Sequence, residues 1–427
     1  MGSRYRTLRG FRDILPGETE HWQAFEEACR TLFTRYGFRE IRTPLLEATE
    51  LFVRSVGEQT DIVGKEMFTL TAGDESISLR PEVTASVCRA YIEHGLDRRG
   101  TGRLWYLGPC FRRERPQKGR YRQFHQVGME VFGESQPATD VEALALALDI
   151  VRAAGVDDAA LVINSIGDAQ CRPAYRRALV AYLESVADRL GEDSRRRLHT
   201  NPLRVLDSKD EREQALFAGA PRITDALCDA CRAHHEAVRE GLARLGLPFE
   251  EDPRLVRGLD YYVRTTFEIR ARRGLGAQNA VLGGGRYDGL VRELGGPDVP
   301  GLGWAAGIER LLLAGGALER EQAPRLDVYL VTLGREAPRE ALALVQRLRA
   351  AGLAASWDPA GHGLGGQMKR AGRSGARFAV LVGDDERARG TTTIKDLATG
   401  RQFEGPGDPE RIAALVRSRI AEEGSSP

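Results

Sequence analysis

The segment Phe111-Arg112-Arg113-Glu114-Arg115-Pro116-Gln117-Lys118-Gly119-Arg120-Tyr121-Arg122 lies between two strand-like runs, Arg103–Phe111 and Phe124–Phe132. A polar stretch with Pro and Gly between two strands closes an antiparallel hairpin, and its loop here carries six positive charges. On Phe124–Phe132 the two-residue period puts Gln126, Gly128 and Glu130 on one face. A glutamine and a carboxylate bracketing a glycine form a hydrogen-bonding floor with space above it. Arginines at the hairpin mouth then face a phosphate or carboxylate, which a guanidinium grips with two bonds. A solvated charged turn is the competing reading, and the flanking strand argues against it.

Three further segments carry unusual residues. Arg257-Gly258-Leu259-Asp260-Tyr261-Tyr262 precedes a strand-like run. Its tyrosines could be core, but the Arg-Gly step suggests a backbone that comes close to a ligand. Gly283-Gly284-Gly285-Arg286-Tyr287-Asp288-Gly289 is too glycine-dense for a strand interior without a reason. Gly301–Leu313 runs from small residues into an apolar helix holding Arg310, which alone reads as an amphipathic helix with one exposed arginine.

Around these segments the chain divides by pattern. Strand and helix signals mix over 1–167, with strand-like runs also at Phe38–Leu46 and Ser76–Leu79, and again over 251–318. The intervening 168–250 is helical and charged, with amphipathic stretches at Arg172–Leu190, Ser208–Gly219 and Ala226–Leu245. That block reads as an insertion in a discontinuous α+β core. A polar linker, 319–325, leads to 326–427, where strands at Val328–Thr332, Ala354–Trp357 and Phe378–Val382 alternate with helices at Pro338–Ala351, Gly366–Arg373 and Asp408–Glu422. Such alternation predicts a small doubly wound α/β domain ending in a loose tail. Gly361-His362-Gly363-Leu364-Gly365-Gly366 satisfies a dinucleotide-binding pattern, but it follows the second strand of its domain and reads as a plain glycine-rich turn.

Composition removes other classes. With 62 Lys+Arg against 61 Asp+Glu the net charge is +1, so no basic excess over the whole chain argues for a nucleic-acid binder. Only five of those cations are lysines; a general drift from Lys to Arg explains the bias, so only arginines in unusual company are informative. Six cysteines in 427 residues do not form a disulfide scaffold. No apolar leader opens the sequence and no run approaches the roughly 18 apolar residues of a membrane span, so a soluble, cytoplasmic protein without a membrane partner is expected.

Taken together and in order, these segments resemble the class II aminoacyl-tRNA synthetases, most closely the histidyl-tRNA synthetase family. The arginine hairpin is similar to the second motif of that class and Gly301–Leu313 to its third. Tyr36–Ser55, with Arg42-Thr43-Pro44-Leu45-Leu46-Glu47, is similar to the first, which in the class forms a dimer interface. Segments 257–262 and 283–290, Leu8–Asp13 and Asn201–Asp207 resemble sequences particular to the histidine enzymes.

The resemblance implies an α/β fold with a class II antiparallel sheet flanked by helices, a helical insertion over the tRNA acceptor arm and a C-terminal anticodon-binding domain. It implies that L-histidine is activated by ATP, with Mg2+, and passed to tRNA by a homodimer. Arg112 and Arg257 are then the expected catalytic residues. Arg112 bridges the histidine carboxylate and the α-phosphate, which Arg257 also reaches. Glu114 lies near the adenine and Arg310 holds the distal phosphate. Glu82, Val83 and Thr84 form the loop that takes the α-amino group, and Gln126, Glu130, Tyr261 and Tyr262 complete the histidine contacts. The family has Gly where Val83 stands; if that position needs positive φ, Val strains the loop.

Cys228-Asp229-Ala230-Cys231 with His234 and His235 has part of a zinc spacing, but all fall in one predicted helix without a separated second pair. Small buried cysteines, no zinc and no metal held by protein ligands alone are expected. Two alternatives stand beside the enzyme. One is a regulatory synthetase paralogue that senses histidine without charging tRNA; such relatives tend to lose Arg257-type residues and the C-terminal domain. The other is an RNA-binding protein with an inactive core, which would not need arginines at 112, 257 and 310.

Overall fold

The computed structural model describes residues 5–57, 60, 62–208, 210–256, 259, 261–276, 279–317, 326–334 and 337–424. The chain forms two units, Met1–Asp13 with His21–Arg320, and Ile14–Glu20 with Glu321–Pro427. The expected linker 319–325 lies outside the described residues.

In the first unit the strands are β1 (Arg39–Glu40), β2 (Leu46–Ala48), β3 (Phe68–Ala72), β4 (Glu75–Leu79), β5 (Arg103–Phe111), β6 (Gln123–Phe132), β7 (Ala159–Ser165), β8 (Glu250–Glu251), β9 (Val263–Ala271), β10 (Ala280–Arg286) and β11 (Gly301–Gly307). Eight of them make one sheet in the order β1-β5-β6-β11-β10-β9-β7-β8. The β1–β5 and β7–β8 pairs at its edges are parallel and every pair between them is antiparallel. β2, β4 and β3 form a smaller antiparallel sheet.

Two glycine-dense segments become central strands because their neighbours come too close for side chains. A Cβ on Gly284 would lie 2.3 Å from the Gly303 carbonyl oxygen and 2.4 Å from the Trp304 Cβ. β10 and β11 thus meet with Gly284 opposite Trp304, whose indole N–H donates to the Ala143 carbonyl at 3.1 Å.

Helices cover the sheet where their apolar residues recur every three or four positions. Thr19–Arg35 buries Trp22, Phe25, Cys29 and Phe33, and Phe33 stacks on Trp105 with centroids 4.8 Å apart. Such a pair adds about 0.5–1.5 kcal/mol beyond its burial. Pro137–Ala153 starts with Pro at a first-turn position, where the missing N–H costs no helix bond.

Between β7 and β9 run the helices Arg172–Ser185, Glu192–Thr200, Glu211–Phe217 and Asp229–Arg244. Their core residues, among them Leu179, Leu183, Leu198 and Phe217, belong to one apolar cluster with Val87, Tyr91 and Leu104 beside the large sheet.

The second unit holds β12 (Leu326–Thr332), β13 (Ala355–Trp357), β14 (Ala376–Val382), β15 (Thr391–Asp396) and β16 (Gln402–Pro406), in the order β13-β12-β14-β15-β16. The three expected strands pair in parallel, and β15 and β16 add an antiparallel edge. The glycine-rich turn before the helix Leu364–Arg373 is closed by its own side chains: the His362 ring nitrogen Nδ1 lies 2.6 Å from Asp358. No described helix is long and apolar enough to cross a membrane.

Candidate active site

The residues before the helix Thr84–Glu93 turn a capping problem into a wall. The first N–H groups of a helix have no intrahelical acceptor. Glu82 supplies one: its carboxylate accepts from the N–H of Thr84 at 2.7 Å and of Ala85 at 2.9 Å. Burial pushes the Glu82 carboxyl up from its usual range, against the pull of those two N–H groups and of Arg112. The Thr84 hydroxyl donates to Glu130 at 2.7 Å, and Glu130 also accepts from the Tyr287 hydroxyl. Glu130 is fully buried, which raises its pKa to about 8 while Tyr287 and Thr84 oppose the rise and Glu82 adds to it.

The hairpin β5–β6 positions the arginines. Arg112 N–H and Arg122 carbonyl close its neck at 2.9 Å, and Gly119, at φ +73°, makes the tip. Arg122 N–H donates to the Gly10 carbonyl at 2.7 Å and Arg113 N–H to that of Glu66 at 2.7 Å, so the loop is docked on the protein. The Arg112 Nε donates to the Pro81 carbonyl at 2.9 Å, with its guanidinium 5.2 Å from the Phe124 ring centroid. Glu114 and Arg120 pair at 3.3 Å. From the helix Ile308–Ala314, Arg310 Nε donates to the Ala280 carbonyl at 2.9 Å. Burial, then neighbouring Arg120, lowers the Arg310 pKa, and a bound anion would relieve that crowding of positive charge.

Eight of the expected residues, Glu82, Thr84, Arg112, Glu114, Gln126, Tyr261, Tyr262 and Arg310, line a single cavity of about 580 Å3. Its lining combines the Glu82 and Thr84 side chains, two tyrosines with Gln126, and the guanidinium groups of Arg112 and Arg310. Val83 and Glu130 do not line it. Val83 caps the helix at φ −108°, a conformation that strains no L-residue, so the expected loop strain is absent and its side chain packs in the core. Glu130 stands one layer behind Thr84. Arg257 lies outside the described residues, with Gly258 and Asp260.

The cavity also has walls that the sequence reading did not assign. Arg120 and Tyr121 come from the hairpin tip, and Glu268 and Arg270 from β9, paired at 3.1 Å. Glu309 holds the backbone of His125 at 3.0 Å and its ring at 2.9 Å. The alternation of Val263–Glu268 was the available signal for β9. Arg286 is buried instead, paired with buried Asp140 at 2.9 Å.

The fold is that of the class II aminoacyl-tRNA synthetases. The family model described as Histidyl-tRNA synthetase matches residues 10–311, and that described as Anticodon binding domain matches 327–413. A histidine–tRNA ligase of Synechococcus sp. (strain CC9902) is 51% identical over 407 residues, 93% of this chain and 94% of that protein. One from Parasynechococcus marenigrum (strain WH8102) is 51% identical over 427 residues, 97% and 98% of the two chains. The crystal structure of apo S. aureus histidyl-tRNA synthetase superposes with a TM-score of 0.80 at 39% identity, over 97% of this chain and 99% of that one. The chain belongs to the histidyl-tRNA synthetase family.

Proposed function

We infer that this chain charges tRNA with histidine, activating the amino acid with ATP, and the observation that carries the reading is the one cavity joining amino-group acceptors to fixed arginines. A histidine carboxylate oxygen attacks the α-phosphorus, that bond forms as the bond to pyrophosphate breaks, and histidyl-adenylate results. A ribose hydroxyl at the tRNA 3′ end then takes the acyl group and releases AMP. The barrier is repulsion between anions and their misalignment, which fixed cations and positioning lower. Arg112, held on Pro81 and Phe124, bridges the two reacting groups, and Arg257 meets the same phosphate. Arg310 holds the distal phosphate, and Glu114 approaches the adenine.

Glu82 and Thr84 take the α-amino group. Val83 supports their loop from the core, while Gln126, Tyr261 and Tyr262 surround the imidazole and Glu130 acts on it through Thr84 and Tyr287. Mg2+ would screen the β- and γ-phosphates. Most of its ligands are then phosphate and water, and Glu268, on the cavity wall, fits as a protein carboxylate toward it.

The reading as a regulatory sensor is not favoured, because the chain carries both the catalytic and the anticodon-binding matches. Residues 1–167 and 251–318 form the catalytic core, 168–250 reaches the acceptor arm and 326–427 reads the anticodon end. The protein works as a cytoplasmic homodimer; exposed Leu45, Leu46 and Leu70 at the small β2-β4-β3 sheet support a partner surface there. Charging of purified histidine tRNA by the full chain is the test: histidyl-tRNA accumulates with histidine and ATP. Absence of product, from protein that forms the adenylate, would contradict the transfer half.

A further inference from the structure

The cysteines that read as plain core residues have partners more than fifty residues away in sequence. Cys228 immediately precedes the helix Asp229–Arg244 and Cys231 lies in its first turn. Asp168 and Cys171 sit where β7 turns into the helix Arg172–Ser185. One potential ligand atom from each of these four residues lies within 4.8 Å of every other. A tetrahedral zinc ion with Zn–S bonds of about 2.3 Å spans ligand–ligand edges of about 3.8 Å, so the four need close by only about 1 Å. The separated second pair missing from the sequence reading is therefore Asp168-x-x-Cys171. His234 and His235 turn elsewhere, to Asp140 at 3.2 Å and Glu251 at 3.3 Å.

The backbone around the pair is shaped to bring these atoms together. Gly167 has φ +63°, and a Cβ there would lie 2.7 Å from the Cys171 Cβ and 3.2 Å from its sulfur. Arg264, the only non-glycine residue at positive φ among the described residues, donates its N–H to the Gly167 carbonyl at 2.8 Å and accepts from Ile166 N–H at 2.8 Å. Such a conformation persists only where its surroundings enforce it. The Arg264 guanidinium lies 3.7 Å from Asp168 Oδ2, while Oδ1 faces Cys171 at 3.5 Å and accepts the Gln170 N–H at 3.0 Å. The Cys228 N–H donates to the Cys171 sulfur at 3.1 Å. An N–H on a sulfur and an arginine on a carboxylate are the outer contacts that orient metal ligands and favour their charged forms.

We propose that Asp168, Cys171, Cys228 and Cys231 hold a structural zinc ion that staples the base of the segment 172–227. Three soft sulfurs with one carboxylate form a closed, four-coordinate set that suits Zn2+ and not Mg2+ or Ca2+. Each thiol gives up its proton as the ion binds. The staple also stands behind the histidine wall of the cavity: Arg172, next to Cys171, donates to the Tyr262 carbonyl.

The test is metal analysis of the full chain, purified without chelator or reductant, with thiol titration and addition of Co2+ to the metal-stripped protein. About one zinc per chain is expected, with thiolate-to-cobalt charge-transfer and tetrahedral d–d absorption after substitution. C228S and C231S should each lose the zinc, D168C should retain it against chelator for longer, and C29A, outside the cluster, should match the parent. The Co2+ titration uses the unaltered chain, so it decides the matter even if the serine variants misfold. A parent chain without stoichiometric zinc and without the cobalt–thiolate band would overturn the proposal. So would unchanged zinc in C228S and C231S.

Discussion

Glu130 shows how one carboxyl can organise a wall without facing the cavity. Its carboxyl is held at about 8 chiefly by burial, whereas in an unfolded chain it ionises near 4.3. Between these values the folded chain keeps a proton that the unfolded chain has lost. The stabilising contribution is therefore fully present below about pH 4 and is lost as pH rises through about 8. In ligand-free protein, unfolding midpoints of the parent should fall relative to E130Q between pH 5.5 and 8.5, on the order of 1 kcal/mol per pH unit. Parallel profiles would place the proton elsewhere.

Gly303 is the matching steric requirement, since a Cβ there would lie 1.7 Å from Glu130 Oε2. G303A should cost about 1–3 kcal/mol, as overpacked cores do, and should raise KM for histidine more than KM for ATP. Equal effects would detach Glu130 from the histidine side. At this scale the sequence singled out Glu82, Thr84, Arg112, Gln126 and Arg310 by motif position and chemistry, and the fold brings all five to one cavity. It put Glu130 on the right strand face but could not tell front layer from back. Val83 raised an expectation of strain that depended on φ, which a residue name does not carry.

At the scale of elements, the buried pair Arg286–Asp140 ties β10 to the helix Pro137–Ala153, with Arg286 also donating to the Glu134 carbonyl at 2.8 Å. Removing one partner leaves an uncompensated buried charge, a loss of about 3–5 kcal/mol, whereas replacing both by apolar residues is often near neutral. R286M should therefore lower the urea midpoint of the first unit strongly, and R286M with D140L should recover much of the loss. A double variant as weak as the single one would mean that the pair is not the tie.

The hairpin strands were legible because an apolar run and an alternating one flank a polar turn with Pro and Gly. β15 was not: its inward positions are Thr392, Ile394 and Asp396, and threonine and aspartate read as polar although the strand buries them. Phe38–Leu46 read as one strand, and the structure has only Arg39–Glu40 and Leu46–Ala48 there. Between them, Arg80 donates to the Thr43 carbonyl at 3.1 Å and hydroxyl at 2.9 Å, bonds to a distant side chain that no local pattern announces.

For the molecule as a whole, near-zero net charge concealed a cavity that concentrates charge locally. Arg112, Arg120, Arg270 and Arg310 share one wall system with Glu82, Glu114, Glu268 and Glu309. Charges of both signs on one lining cancel in the total, so composition alone could not announce the cavity. The change of pattern near residue 320 falls where the chain passes from one compact unit to the other. The apolar cluster that joins residues of 168–250 to Val87, Tyr91 and Leu104 was not legible, since contacts between distant segments leave no periodicity.

Histidine-dependent exchange of labelled pyrophosphate into ATP, run with each of the twenty amino acids, tests the central claim most directly. Exchange should occur with histidine alone and fall by orders of magnitude in R112A. No exchange with any amino acid, from folded protein that still binds histidine, would contradict the enzyme and leave a histidine sensor in its place.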